Sequence, residues 1–527
     1  MFLCSLNRYL TSSNLLSLDK YKLKLCFICF CARLIVNLHN IEMEATKQMS
    51  KTDVLLEKVR SGSGVMSGYE QLSLTVRLAI PAMLAQISHI LMEYIDASMV
   101  GRLGAEGAAS IGLVATTTWL FWGLCSSIAT GFSVQVAHKI GASKPKDARS
   151  ILRQAFTTAM AMSLTLCVVA VAVSGRLPIW LGGDESLHAG ASGYFLVFAL
   201  TIPMFEMTFM MSAMLRCSGN VKLPSMINML LCVLDVVFNF LFIFPSADYN
   251  VLGMSIHVYG AGLGVVGAAV GTAVAEVIGC VLLFYHLCYR SRTMSLFGKL
   301  KQEVSTLRMF RPTSRVLKKA FRLGLPIACE RMVMCGAQIC TTMIVAPLGM
   351  FAIAANAFGV NAESLCYMPG YGIADAATTL VGQSVGAKRS DLAKRFAYMT
   401  VGIGMAVMTI MGIMMYVAAP VMMSIMTPVN EIIDLGVSAL RIEAFAEPLF
   451  AASIVCYGAF VGAGDTLIPS SMNLGSIWIF RITLAIVLAP TMGLNGVWLA
   501  MCIELCLRGL LFLLRLKSGR WLKAFKV

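Results

Sequence analysis

The chain has 527 residues, 58% of them hydrophobic and only 13% charged, with a formal net charge of +15. A soluble protein of that length needs far more charge on its surface, so the soluble classes are excluded. The basic residues sit in separate loops and not in one patch, which removes nucleic acid as the reason for the charge.

Residues 1–73 read as an N-terminal extension. "YKLKLCFICFCARLIVNL" is apolar but short and broken by Arg33, and a polar stretch follows it. It reads as a signal-like segment, as an extra span or as sequence upstream of a true start at Met43 or Met49, the last being favoured. Cys26, Cys29 and Cys31 have a metal-like spacing, yet no second pair or histidine cluster accompanies them, so no metal site is expected. The 17 cysteines lie mostly in apolar runs, where they act as small hydrophobes.

Beyond residue 74 the chain is a series of apolar runs long enough for helices to cross hydrocarbon. Twelve spans are predicted, over 76–100, 108–138, 151–174, 191–215, 223–245, 262–289, 320–346, 352–385, 392–420, 437–461, 468–491 and 493–516. Every second loop is basic, as in Lys139–Arg149, Arg216–Lys222, Arg290–Arg322, Lys388–Arg395 and Lys517–Lys526, and the others are nearly free of Lys and Arg. The positive-inside rule then places both termini in the cytoplasm, for a multi-pass protein of the cell (inner or plasma) membrane. The basic linker 290–319 separates an N-lobe, 74–289, from a C-lobe, 320–516, and 517–527 is a cytoplasmic tail.

The two lobes are a repeat at an offset of 245 residues. "LAIPAMLAQ" faces "LGLPIACER", with Pro81 over Pro326, and Gly104 falls on Gly349. "VAHKIGA" (136–142) falls on "VGQSVGA" (381–387), and Pro203, Gly219, Pro224 and Asn228 fall on Pro448, Gly464, Pro469 and Asn473. Six spans per half start both halves on the same side, so the repeat is parallel, with a pseudo-twofold along the membrane normal. The expected fold is an all-α polytopic membrane protein of twelve helices in two six-helix lobes. Matched prolines within spans 1, 4, 7 and 10 favour moving parts and hence transport.

Span 1 contains "HILMEYIDASMVGRLG", which takes Glu93 and Asp96 into an apolar run. A carboxylate at membrane depth costs at least ~2.5–3.5 kcal/mol on insertion scales. Span 5 places Asp235 and Asn239 at i and i+4 on one face, and span 6 offers Thr272 among small residues. Depth counted from the span ends puts all four in the outer half of the first lobe. Two carboxylates, an amide and a hydroxyl suit a small hard cation, and the carboxylates alone can carry protons. Helix–helix pairing is the competing reading, and for Asn239 and Thr272 taken alone it is the stronger one.

"YIDASMVGRLG", the turn "GAGDTLIP" at 462–469 and "GIADAATTLVGQSVGA" resemble the multidrug and toxic compound extrusion (MATE) antiporters, over about residues 75–516. The resemblance implies an N-lobe cation site built from a first-span aspartate, a fifth-span Asn-x-x-x-Asp pair and a sixth-span threonine. Asp96 and Thr272 match it, while Asp235 and Asn239 stand in exchanged order. In the C-lobe Phe450 stands where some members carry an aspartate, with Glu447 almost one turn earlier. Glu330 resembles a seventh-span glutamate of many members; Glu363 and Asp375 in span 8, with Glu93, complete the candidates for cargo or coupling. Arg481 is the expected internal partner of these C-lobe acids.

The implied function is secondary antiport. Amphipathic, cationic organic compounds leave in exchange for H+ or Na+ by alternating access, as in multidrug or xenobiotic export. No catalytic residue, cofactor or metal beyond a coupling Na+ is expected, and the chain is expected to act as a monomer among membrane lipids. A lipid-linked oligosaccharide flippase of the same fold needs cationic residues for pyrophosphate, where the N-lobe shows carboxylates. An intramembrane lipid-modifying enzyme needs a nucleophile cluster, a His box or paired Asp motifs, and none is found among six histidines. His138 reads as structural, Gly462 and Gly464 as a turn, and the methionines Met204, Met207, Met210, Met211 and Met214 as core, with cavity lining the lesser reading.

Overall fold

The computed structural model describes residues 51–61, 66–251, 254–291, 294–296 and 310–524. The cysteine motif at 26–31, the alternative starts Met43 and Met49, half of the linker 290–319 and the last three residues of the tail lie outside these.

Each predicted span is a helix. The first half holds Gly68–Gly101, Ala105–Gly141, Pro145–Ser174, Glu185–Cys217, Lys222–Ile243 and Gly264–Arg290. The second holds Ser314–Val345, Met350–Gly386, Ser390–Met426, the pair Asn430–Glu443 and Glu447–Ala463, Leu467–Met492 and Leu494–Ser518. Ten are long and apolar enough to cross a membrane, and eleven if the pair is one span. The remaining helix, span 8, has 37 residues but carries Asn356, Asn361, Glu363 and Asp375, which its neighbours in the protein must accommodate. Span 1 begins eight residues before its apolar run. Ser67 Oγ accepts from the Glu70 backbone N–H (3.2 Å) and Glu70 accepts from that of Ser67 (3.0 Å), a capping box that starts the helix on a polar turn.

The repeat is written into the backbone. Gly104 and Gly349 open spans 2 and 8 at φ 96° and 102°. Ser143 and Lys388, 245 residues apart, share φ values of 55° and 60°, which non-glycine residues seldom adopt. One symmetry expectation fails. Pro203 lies inside a continuous helix, but Pro448 stands in the first turn of a new one, after a 61° bend between Glu443 and Glu447. Proline lacks an N–H, so it is tolerated at a helix start and ends the ladder before it. The sequence also shows no sign of the antiparallel hairpin, Pro245–Val251 with Met254–Ala261, between spans 5 and 6.

The halves meet at the end that carries the basic loops. Spans 2 and 8 cross so closely that a Cβ on Gly141 would lie 2.0 Å from the carbonyl oxygen of Gln383, and one on Gly386 2.2 Å from that of His138. These contacts are repeat mates, since Gly386 and Gln383 are Gly141 and His138 moved by 245. Polar contacts seal the junction. His138 Nε2 meets Gly462 O (2.8 Å), Gln383 Nε2 donates to Cys217 O (2.9 Å), and Gln135 Nε2 donates to Val316 O (3.3 Å). Arg216 pairs with Asp375 across the halves at 3.6 Å, and Arg60 donates to both Gln383 and Ser218 O.

Gly141→Val and Gly386→Val should therefore each lower the thermal unfolding temperature of the purified protein, because the obstacle is backbone and cannot turn aside; overpacking costs about 1–3 kcal/mol or more. Gly402→Val, where a Cβ would meet nothing within 4 Å, is the control and should behave like the parent.

Candidate functional site

The structure brings the N-lobe candidates together. Asp96 lies five residues before the end of span 1, level with Asp235 and Asn239 on span 5. Asn239 Nδ2 donates to Asp96 Oδ1 at 2.8 Å and to Asp235 Oδ2 at 3.0 Å. A single amide nitrogen thus spans two carboxylates and uses both of its hydrogens. Asp235 and Asn239 are 2% and 1% exposed, so neither is solvated.

Span 6 closes the site because it can approach. A Cβ on Gly271 would fall 2.0 Å from Asn239 Oδ1, so only glycine lets the helix pass there. Thr272 follows, its hydroxyl donating to Ala268 O (3.2 Å) and lying beside Asp235, with Tyr194 of span 4 near both carboxylates. Two buried oxygens, Asp235 Oδ1 and Asn239 Oδ1, have no partner. Unpaired buried acceptors are costly and rare. Here they are the groups that a proton or a desolvated hard cation would satisfy. Among the described residues no Lys, Arg or His makes an ion pair with either aspartate.

Glu93 stays outside this cluster. Its carboxylate sits 3.6 Å from His89 Nδ1 and is 39% exposed, and the His89 ring rests 5.2 Å from that of Trp122. Four further acids inside the spans carry no signal in the sequence pattern, Glu276 and Glu206 in this lobe and Glu443 and Glu504 in the other. Glu276 lies one turn beyond Thr272 and near Asp235 and Thr208. Glu206 in span 4 is fully buried, with both oxygens unpartnered. Glu206 is as costly at that depth as Asp96, and it stands among the methionines of span 4.

The acids singled out in the C-lobe fall in three settings. Glu330 accepts from Tyr457 Oη (2.7 Å) and Asn473 Nδ2 (2.6 Å), and both its oxygens are engaged. Asp375 belongs to the junction, paired with Arg216. Glu363, Glu443 and Glu447 are buried close together, the last two with oxygens unpartnered. Arg481 does not pair with the acids expected of it. Its Nε and Nη2 both donate to Glu504 Oε2, at 3.1 and 2.8 Å. Arg508 lies 3.2 Å from Glu504 and Ser476 donates to it at 2.5 Å. Arg481 stands in a π-helical stretch, Ser476–Ile482, whose wider turn shifts the register on which the sequence reading relied.

Comparison with known proteins agrees with this architecture. The MatE family profile matches residues 81–241 and 326–487. "Probable multidrug resistance protein NorM" of Thermotoga maritima is 25% identical over 450 residues, 85% of this chain and 92% of the relative. "Uncharacterized transporter YisQ" of Bacillus subtilis is 22% identical over 443 residues, 82% of this chain and 92% of its own length. Among solved structures, an outward-facing MATE family transporter superposes with a TM-score of 0.78 at 21% identity, over 88% of this chain and all of that one. A Pyrococcus furiosus transporter, described as having a binding pocket of reversed polarity, gives 0.79 at 20% identity, over 91% and 100%. At such identities the structural likeness speaks for the fold.

Glu504→Gln should destabilise the protein by about 3–5 kcal/mol, because it leaves Arg481 and Arg508 buried without their shared countercharge. Thermal or denaturant unfolding in detergent measures this. Adding Arg481→Gln should recover part of the loss.

Proposed function

The chain belongs to the MatE family, the multidrug and toxic compound extrusion transporters, which are membrane transporters and not enzymes; on that premise we propose a secondary active antiporter that exports amphipathic organic cations in exchange for H+ or Na+. The observation that carries the proposal is the pair Asp96 and Asp235 bridged by one amide, with two buried oxygens left open. The coupling ion enters there. A proton would settle on one of two carboxylates that share a donor; Na+ would take oxygens from Asp96, Asp235, Asn239 and Thr272. Either removes negative charge from the meeting point of spans 1, 5 and 6, and so changes which packing of those helices is favoured.

The basic loops define the cytoplasmic side, so the sealed junction is a closed cytoplasmic gate and both termini lie in the cytoplasm of a cell-membrane protein. Cargo leaves between the outer halves, where Glu93 draws its cationic group. In the C-lobe, Glu330, Glu363 and Glu447 support cargo binding or coupling, while Asp375 acts on the gate through Arg216. Ion entry lowers the N-lobe's charge and biases the halves to rock about the glycine crossings.

Asp96→Asn keeps the size of the side chain and most of its hydrogen bonding. It should fold and insert, and ion-driven uphill efflux from proteoliposomes should fall at least ~10-fold, to near background; normal expression with undiminished uphill efflux would reduce the carboxylate to a packing role. Exchanging the pair, by Asp235→Asn with Asn239→Asp, should retain part of the coupling. It brings two carboxylates into direct contact, where they must share a proton. Asp235→Asn alone should do worse.

A further inference from the structure

Arg331 belongs to none of these charge clusters. It lies near the middle of span 7, with its stem against Gly123 of span 2. A Cβ on Gly123 would meet Arg331 Cβ and Cγ at 3.0 Å and Cδ at 3.4 Å. The residue therefore stands where the two halves face each other at mid-membrane, and it is partly accessible. Tyr371 of span 8 and Tyr457 of span 10 act on its charge, with Glu330 beside it in the chain.

None of them forms an ion pair with it, and Glu330 acts on it only from beyond contact distance. Glu330 is engaged by Tyr457 and Asn473, and Glu504 serves Arg481 and Arg508. Arg331 makes no ion pair or hydrogen bond among the described residues, and its Nε is buried without a partner. Its repeat mate in span 1 is the neutral Gln86. An arginine at this depth that pairs with nothing is costly, and such residues mark ligand pathways. The wall nearby is aromatic. Tyr367 contacts Tyr371 and Phe450 at ring separations of 5.9 and 5.5 Å, which suits a flat apolar body.

We propose that Arg331 binds the carboxylate of the transported compound, so that the cargo class includes amphipathic organic acids and zwitterions that carry both charges. This rests on the transport reading and narrows its substrate. The guanidinium presents a planar fork of donors that fits a carboxylate in two parallel bonds, with the hydroxyl of Tyr371 close by. Glu93 and Arg331 then recognise opposite ends of one molecule.

Rhodamine 110 and its methyl ester, rhodamine 123, share a cationic ring system and differ in the free carboxylate. Their binding to the purified protein is read by fluorescence anisotropy with no ion gradient, so the result is independent of whether ions drive efflux. The wild type should bind the acid roughly 10- to 100-fold more tightly than the ester, the range of one charge-assisted hydrogen-bonded pair. Arg331→Gln should abolish the preference by weakening the acid alone, and Arg331→Lys should keep part of it. Gly123→Ala, which forces the stem to move, should weaken the acid at least threefold and spare the ester, and it decides the matter if Arg331→Gln is not monodisperse. No preference in the wild type, no binding of the acid, or equal losses for acid and ester in these variants would overturn the proposal.

Discussion

A charge held in hydrocarbon must find a partner, lose its charge or be kept in reserve for a ligand. That constraint organises the interior of this protein. Glu504 meets it by pairing with two arginines, and Asp375 meets it with Arg216 across the halves. Glu330 meets it through a phenol and an amide. Asp96 and Asp235 do not meet it completely, because one amide nitrogen cannot satisfy two carboxylates. The exceptions to full pairing are the places where the proposed ion or cargo would have something to supply.

The repeat decides where such exceptions can be used. Close crossings at Gly141, Gly386, Gly324 and Gly372 bring backbone against backbone, so the proposed rocking of the halves would turn about a narrow seam. Mated contacts on both sides of the pseudo-twofold give the seam two matching supports. The N-lobe departs from the repeat in the hairpin between spans 5 and 6, and the C-lobe in the bend of span 10 after Glu443 and the π-helical stretch at Arg481. The two in the C-lobe place irregular backbone beside buried charge, which is where membrane proteins tolerate it. The N-lobe thus holds a compact acid pair. The C-lobe bends two of its spans and buries Arg481 and Arg508 around Glu504.

Much of this was legible in the sequence, for definite reasons. Span length and loop charge are set by the bilayer, so the helices could be read without knowing their contacts. Constant offsets revealed the repeat, and the i, i+4 spacing with span depth brought Asp96, Asp235 and Asn239 to one level. What stayed hidden depends on rotation about helix axes and on local backbone. Arg481 acts on Glu363, one of the acids expected of it, only from a distance, and its direct contact is with Glu504 of span 12, which spacing along the chain does not bring beside it. Pro448 reads as an internal kink until the bend before it is seen. Glu206 and Arg331 were readable by cost alone, but their surroundings become clear only when spans 2, 4 and 7 are packed.

The central claim is that an ion gradient acting through the buried acid pair drives export. Its most direct test is wild-type protein in sealed liposomes, with proton and sodium gradients imposed one at a time and fluorescent cargo followed against its own gradient. The account predicts uphill movement under at least one of the two and none when both are collapsed. Uphill movement that persists with both gradients collapsed, or none under either, would contradict it.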